Sequence, residues 1–193
     1  MHVALVTLFL FRSLSAFIPG GFTVPTAKTD VAWAAPDALL LDTDFGPGTV
    51  TDSGYGRIVK LWRRGTPLSS ATTIAEGVKT DVSVRPRVLV DNGRTWPLVE
   101  RALDFYHSKI SHISHDGQLV PAPLPADAVI NDVLDGRVIA SLKTPWNGRA
   151  AGTVIAYSIP DLLAGRSPAI ETVFVPNDHQ AVEEISAGNS KLW

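Results

Sequence analysis

The chain of 193 residues contains no cysteine, which excludes disulfides, thiolate nucleophiles and cysteine-ligated metal sites. It also lacks an excess of either charge: 17 Lys and Arg face 19 Asp and Glu, for a formal net charge of -2. Without a basic surplus there is no electrostatic footprint for nucleic acid, and no acidic tail is present. Long runs of helix formers are missing as well. The one strongly apolar run, Val3 to Phe11, is too short to span a bilayer. A signal peptide would carry positive charge before such a run, and His2 is the only candidate there. We read Val3 to Phe11 as a buried β-strand and expect a cytoplasmic protein with no membrane contact, a secreted or periplasmic one being the alternative.

What the chain does have is punctuation. Its 14 prolines and 15 glycines are dispersed between short apolar runs, as in a turn-rich β protein. The stretch Asp30 to Gly77 contains four such runs: Val31 to Ala34, Ala38 to Leu41, Ile58 to Trp62 and Ala71 to Ala75. Turns at Pro36-Asp37 and Gly65-Thr66-Pro67 and a glycine-rich loop separate them. Four short strands in one compact module are the make-up of a propeller blade. A second module shows an extended Val82 to Val90, where Pro86 argues for an edge or a bulge. It continues with a hairpin signal at Asp91-Asn92-Gly93, a strand over Thr95 to Leu103, another over Phe105 to Ile113, and Leu119-Val120. A third has Ala128 to Leu134, the turn Asp135-Gly136, Val138 to Leu142, Thr153 to Tyr157, one helical turn at Asp161 to Ala164, and Glu171 to Val175.

Module starts near 30, 80, 128 and 181 give a period of about fifty residues, the spacing of propeller blades. A single sandwich also accommodates short strands at this density, but the steady period favours the propeller. The expected fold is therefore all-β: an incomplete β-propeller of about three four-stranded blades in an open arc, plus parts of two more. Residues 1–29 would hold a residual strand and connecting loop of a preceding blade. Residues 30–77, 78–125 and 126–176 would each form one blade, and 177–193 the start of a further one.

No motif for catalysis is complete. A hydrolase nucleophile elbow needs G-x-S-x-G between a strand and a helix. The nearest approach, Gly165-Arg166-Ser167-Pro168-Ala169, ends in Ala and lies between a helical turn and a strand, so Ser167 reads as a turn serine. Ser53 reads the same way. His107, His112 and His115, with Asp116, are close in sequence, but the two-residue period of a strand sets His112 opposite the other two. They read as solvent-facing histidines around a hairpin rather than as a metal site. His179 beside Asp178 could act as a base only if a nucleophile existed. Lys60, Arg63 and Arg64 surround Trp62, which reads as a strand with the indole inward and the charges outward. The glycines at 46–48 and 54–56 lack the phosphate-loop pattern. Accordingly no catalytic, cofactor-binding or metal-binding residue is assigned, and no cofactor is expected.

Three runs, FTVPTAKTDVAW, LLLDTDFGPGTVTDSGYGRIVKLWRRGTPLSSATTIAEG and DFYHSKISHISHDGQLVPAPLPADA, together with GTVIAYSIPDLLAGRSPAIETVFVP, resemble the N-terminal β-propeller domain of the prolyl oligopeptidase family of serine peptidases, in its bacterial branch. The resemblance extends from Ala16 to Trp193. Thr43-Asp44-Phe45-Gly46 and Lys60 to Leu68 carry most of its specificity. It implies a propeller that limits access of peptides to a separate hydrolase domain with a Ser-Asp-His triad, a domain this chain lacks. The expected partner is that missing hydrolase domain or a companion chain, with peptides bound only in a complete assembly. Bare blade faces would favour homo-oligomers or aggregation. The alternative is a stand-alone binding or scaffold protein that has kept blade modules.

Overall fold

Short apolar runs between turn signals fold into three consecutive antiparallel sheets in the computed structural model, which describes residues 20–177, 179–188 and 191–193. The strand expected at Val3 to Phe11 lies outside these residues. The first sheet comprises β1 (Asp30–Ala35), β2 (Ala38–Asp42), β3 (Ile58–Arg63) and β4 (Thr72–Glu76). The second comprises β5 (Ser83–Asp91), β6 (Arg94–Ala102), β7 (Ser108–Ile113) and β8 (Leu119–Pro121). The third comprises β9 (Val129–Leu134), β10 (Arg137–Ser141), β11 (Val154–Ser158) and β12 (Glu171–Phe174). Each is a meander in which every strand pairs with its neighbour in sequence. A two-stranded piece, β13 (Ala187–Gly188) and β14 (Lys191–Leu192), follows.

The sheets stack face to face, and the first strand of each touches the first strand of the next: β1 with β5, β5 with β9, β9 with β13. Sheets arranged around a common inner edge, with no strand closing the circle among the described residues, form an open, incomplete propeller.

Local chemistry explains the irregularities. Pro86 sits in β5, an edge strand with no ladder partner on its far side, where a missing N–H costs nothing. Pro97 lies in β6, an internal strand, but β6 pairs with β7 only from Leu98 onward, so the proline escapes a second ladder. The tight β5–β6 and β9–β10 hairpins place Asn92 and Gly93, then Asp135 and Gly136, at positive φ, the geometry that two-residue hairpin loops require. A short helix α1 (Ile159–Leu163) follows β11, capped by the Ser158 hydroxyl, which accepts from the Asp161 N–H. The strand expected from Phe105 begins only at Ser108. The Asp104 carboxylate accepts from the N–H groups of Tyr106 and His107, and this side-chain turn competes successfully with the ladder.

Candidate functional site

In a meander, successive connections alternate between the two ends of a sheet. The ion pair Asp30–Arg85 joins the starts of β1 and β5. The Gly136 N–H donates to Asp91 at 2.8 Å, joining the ends of the β5 and β9 hairpins. The first strands therefore run the same way, and the β2–β3, β6–β7 and β10–β11 loops gather at one end of the arc. The tight hairpins gather at the other. The loop end displays Phe105 and Tyr106, 89% and 83% exposed, held out by the Asp104 turn. A groove of about 450 Å³ runs between β1 and β5, lined by Val31, Trp33, Pro86, Val88 and Val90 among others; Trp33 and Val90 are 53% and 63% exposed. The inner edge of the arc thus presents apolar side chains to whatever lies on its axis.

The residues weighed from sequence do not converge. Ser53 is exposed in a turn at the loop end, and its carbonyl accepts from Lys28 Nζ. Ser167 is exposed in the connection between α1 and β12, at the opposite end. Neither hydroxyl is hydrogen-bonded to a histidine among the described residues. His107 pairs with Asp104 at 2.8 Å. His115 is exposed in the β7–β8 turn, next to Asp116, whose carboxylate a hydrogen bond from Ser114 holds below the usual range. His112 departs from the expectation of a solvent-facing residue: it is fully buried, because at the end of β7 its side chain meets Tyr157 of the third sheet, while Lys109 near the start of the same strand is exposed. Asp178 lies outside the described residues. His179 borders a cavity of about 780 Å³ over the third sheet, with Val154, Phe174, Val182 and Ile185. Trp62 is buried and its indole N–H donates to the Thr66 carbonyl at 2.8 Å. Lys60 lies over the Phe45 ring and Arg64 over Phe22, while Arg63 points to solvent.

Three buried polar groups stand out instead. Asp42, at the end of β2, is nearly inaccessible, and its Oδ1 has no hydrogen-bond partner. Burial and the like charge of Asp30 push its carboxyl up to about 7, against the opposing pull of Arg85. Gly56 is required beside it, since a Cβ there would run into the Asp42 carboxylate. Asp81 is buried too. Burial raises its carboxyl, but hydrogen bonds from Arg101 (2.5 Å) and from the Val78 N–H (2.8 Å) outweigh that and hold it below the ordinary range. His112 Nε2 lies 2.7 Å from the Tyr157 hydroxyl; burial lowers the imidazole to about 4 and raises the phenol. Sequence reasoning passed over Asp42 and Tyr157. An Asp or Tyr at the rim or middle of a strand carries no signal of what covers it. Among the described residues no group of His, Asp and Glu is disposed to hold a metal ion, and no helix is long and apolar enough to cross a membrane.

This fold is an all-β propeller arc, and it has known counterparts. The chain is 30% identical over 187 residues to an uncharacterized peptidase of Sinorhizobium fredii, covering 91% of this chain and 26% of that protein. It is 21% identical to an uncharacterized peptidase of Rickettsia prowazekii, covering 94% of this chain and 26% of the relative. A solved structure of a post-proline cleaving enzyme from Rickettsia typhi superposes with a TM-score of 0.72 at 20% identity, over 82% of this chain and 24% of that one. No family model matches. The chain spans about a quarter of the length of the curated relatives it matches. It is therefore linked by sequence to peptidases, and by fold to one stretch of a post-proline cleaving enzyme. Among the described residues there is neither a catalytic triad nor a hydrolase fold.

Proposed function

We propose that this chain is the propeller segment of a prolyl-oligopeptidase-like serine peptidase, limiting the access of peptides to a separate hydrolase domain that carries a Ser-Asp-His triad. The observation that carries this reading is the match of the arc to part of a post-proline cleaving enzyme. Relatedness to two peptidases over most of the chain agrees with it. The role is steric. Sheets stacked around a common inner edge wall off an axial space, and a rigid wall passes short flexible peptides while rejecting folded proteins. Hydrolysis belongs to the other domain, so the chain alone turns over no substrate. The alternative, a stand-alone scaffold, draws on the exposed Val173, Phe174, Val175 and Trp193 beside the third sheet, an apolar surface that a partner or a second copy would cover.

The test combines light scattering across a concentration series with an assay on a proline-containing chromogenic peptide. The expected result is no turnover, with mass rising continuously with concentration. A discrete oligomer without turnover moves the weight to the scaffold. Turnover that survives repurification and is abolished by Ser167→Ala or Ser53→Ala overturns the reading.

A further inference from the structure

A neutral imidazole has one donor and one acceptor, and an apolar core offers it little. His112 nevertheless lies at the centre of the seam between the second and third sheets. Its register partners are Leu98 on β6 and Val120 on β8, and across the seam it meets Tyr157 on β11. The two rings pack edge to face at 5.8 Å, with Nε2 and the phenol oxygen in hydrogen-bond contact. Nδ1 is buried with no partner. Around the pair stand Trp96, Leu98, Leu142 and Ile155, all buried.

By register the charged side chains on this face of the second sheet are Arg85, Arg87 and Asp91 on β5 and Arg94 and Glu100 on β6. Arg87 and Glu100 pair with each other at 3.2 Å, Arg85 pairs with Asp30, Arg94 lies over the Trp96 ring and Asp91 accepts from the Gly136 N–H. Val120 faces the ring from β8. From the third sheet, β9 brings Ile130 and Val133 and β10 brings Val138 and Ala140, so Tyr157 is the titratable group that faces the ring from that side. An imidazolium here would hold a second N–H with nothing to accept it and a charge with nothing to balance it, which a closed seam cannot accommodate.

We propose that the His112–Tyr157 pair is an acid-sensitive latch between the second and third sheets, closed while the imidazole is neutral and released when it takes a proton. The sign follows from linkage. The closed-state imidazole protonates near pH 4 and the unfolded one at about 6.5. The opened chain therefore binds more protons between those values, and stability present above about pH 6.5 is lost as pH falls towards 4. The span corresponds to a change on the order of a hundredfold in the ratio of closed to open chains. This inference is independent of the proposed peptidase role.

Amide hydrogen exchange of the full chain at pH 7 and pH 4.5, corrected for intrinsic rates, reads the seam directly. Protection of β7 and β11 is expected to fall tenfold or more relative to β2 and β3. An equal fall in all four strands, or none, overturns the proposal. In His112→Phe, which cannot titrate, the drop in thermal midpoint from pH 7 to 4.5 should be smaller than in the unaltered chain, and an identical drop overturns it. Should that variant fail to fold, an NMR titration of the unaltered chain decides: an imidazole midpoint below pH 5 supports the latch, and one near 6.5 ends it.

Discussion

Between the first and second sheets the apolar contact is made by Leu40, Val59, Ala75, Val84, Val99 and Ile113, mostly small or β-branched side chains. Between the second and third it is made by a larger set that includes Trp96, Leu98, Leu142, Ile155, Tyr157 and Ile159. Polar groups divide the other way. The first seam is bordered by Asp42, the Asp81–Arg101 pair and the Asp30–Arg85 pair, and the second is bridged internally by His112 and Tyr157. One stacking geometry thus tolerates two solutions, a thin apolar layer edged by carboxylates and a thick one pierced by a neutral hydrogen bond. The titratable groups even carry opposite signs. A buried acid with a raised pKa favours low pH, whereas a buried base with a lowered pKa favours high pH.

Breaking the thick seam should have the largest effect. Ile155 is fully buried at its centre, and Ile155→Ala is expected to cost about 3 kcal/mol in urea or thermal unfolding, the range for deleting a buried aliphatic side chain. A loss below about 1 kcal/mol would mean that the second seam is not the main source of stability. The first seam is sharpened by Asp42→Asn. The folded carboxyl protonates near pH 7 against an ordinary value of 3.8, so the folded state binds more protons in between, and stability present below about pH 4 is lost as pH rises through 7. The variant, having no charge to bury, should gain about 2 kcal/mol over the unaltered chain at pH 8 and lose that advantage by pH 4. A difference that does not vary with pH would rule out ionisation of Asp42 as the cause. The smallest effect concerns the rim of the second seam. Asp91→Ala removes the acceptor for the Gly136 N–H and should lower stability by about 1 kcal/mol, measurable as a shift in urea midpoint at unchanged slope.

Much of this arc was legible in the letters. The runs Ala38 to Leu41, Val138 to Leu142 and Thr153 to Tyr157 are strands, and the Asn92-Gly93 and Asp135-Gly136 signals are hairpins, because short apolar runs and the turn chemistry that bounds them act over a few residues. The inward position of Trp62 was legible for the same reason. Phe105 and Tyr106 were misplaced on a strand. Their aromatic character suits a ladder, but the Asp104 side chain captures the N–H groups the ladder would have used.

His112 marks the boundary between the two kinds of knowledge. Alternation set it opposite His107 and His115, which lie in turns outside β7, and a histidine is intermediate in its tendency to be buried, so its type alone does not tell interior from surface. Only the stacking of the third sheet onto the second decides that this face is interior, that Tyr157 meets it 45 residues further along the chain, and that Asp42 is enclosed at the other seam. Local sequence determined the strands, the turns and the blade-like period, because backbone preferences and alternation are properties of neighbours in the chain. Burial, pairing and the sign of each titration were decided by tertiary structure, because desolvation depends on what another sheet places against a side chain.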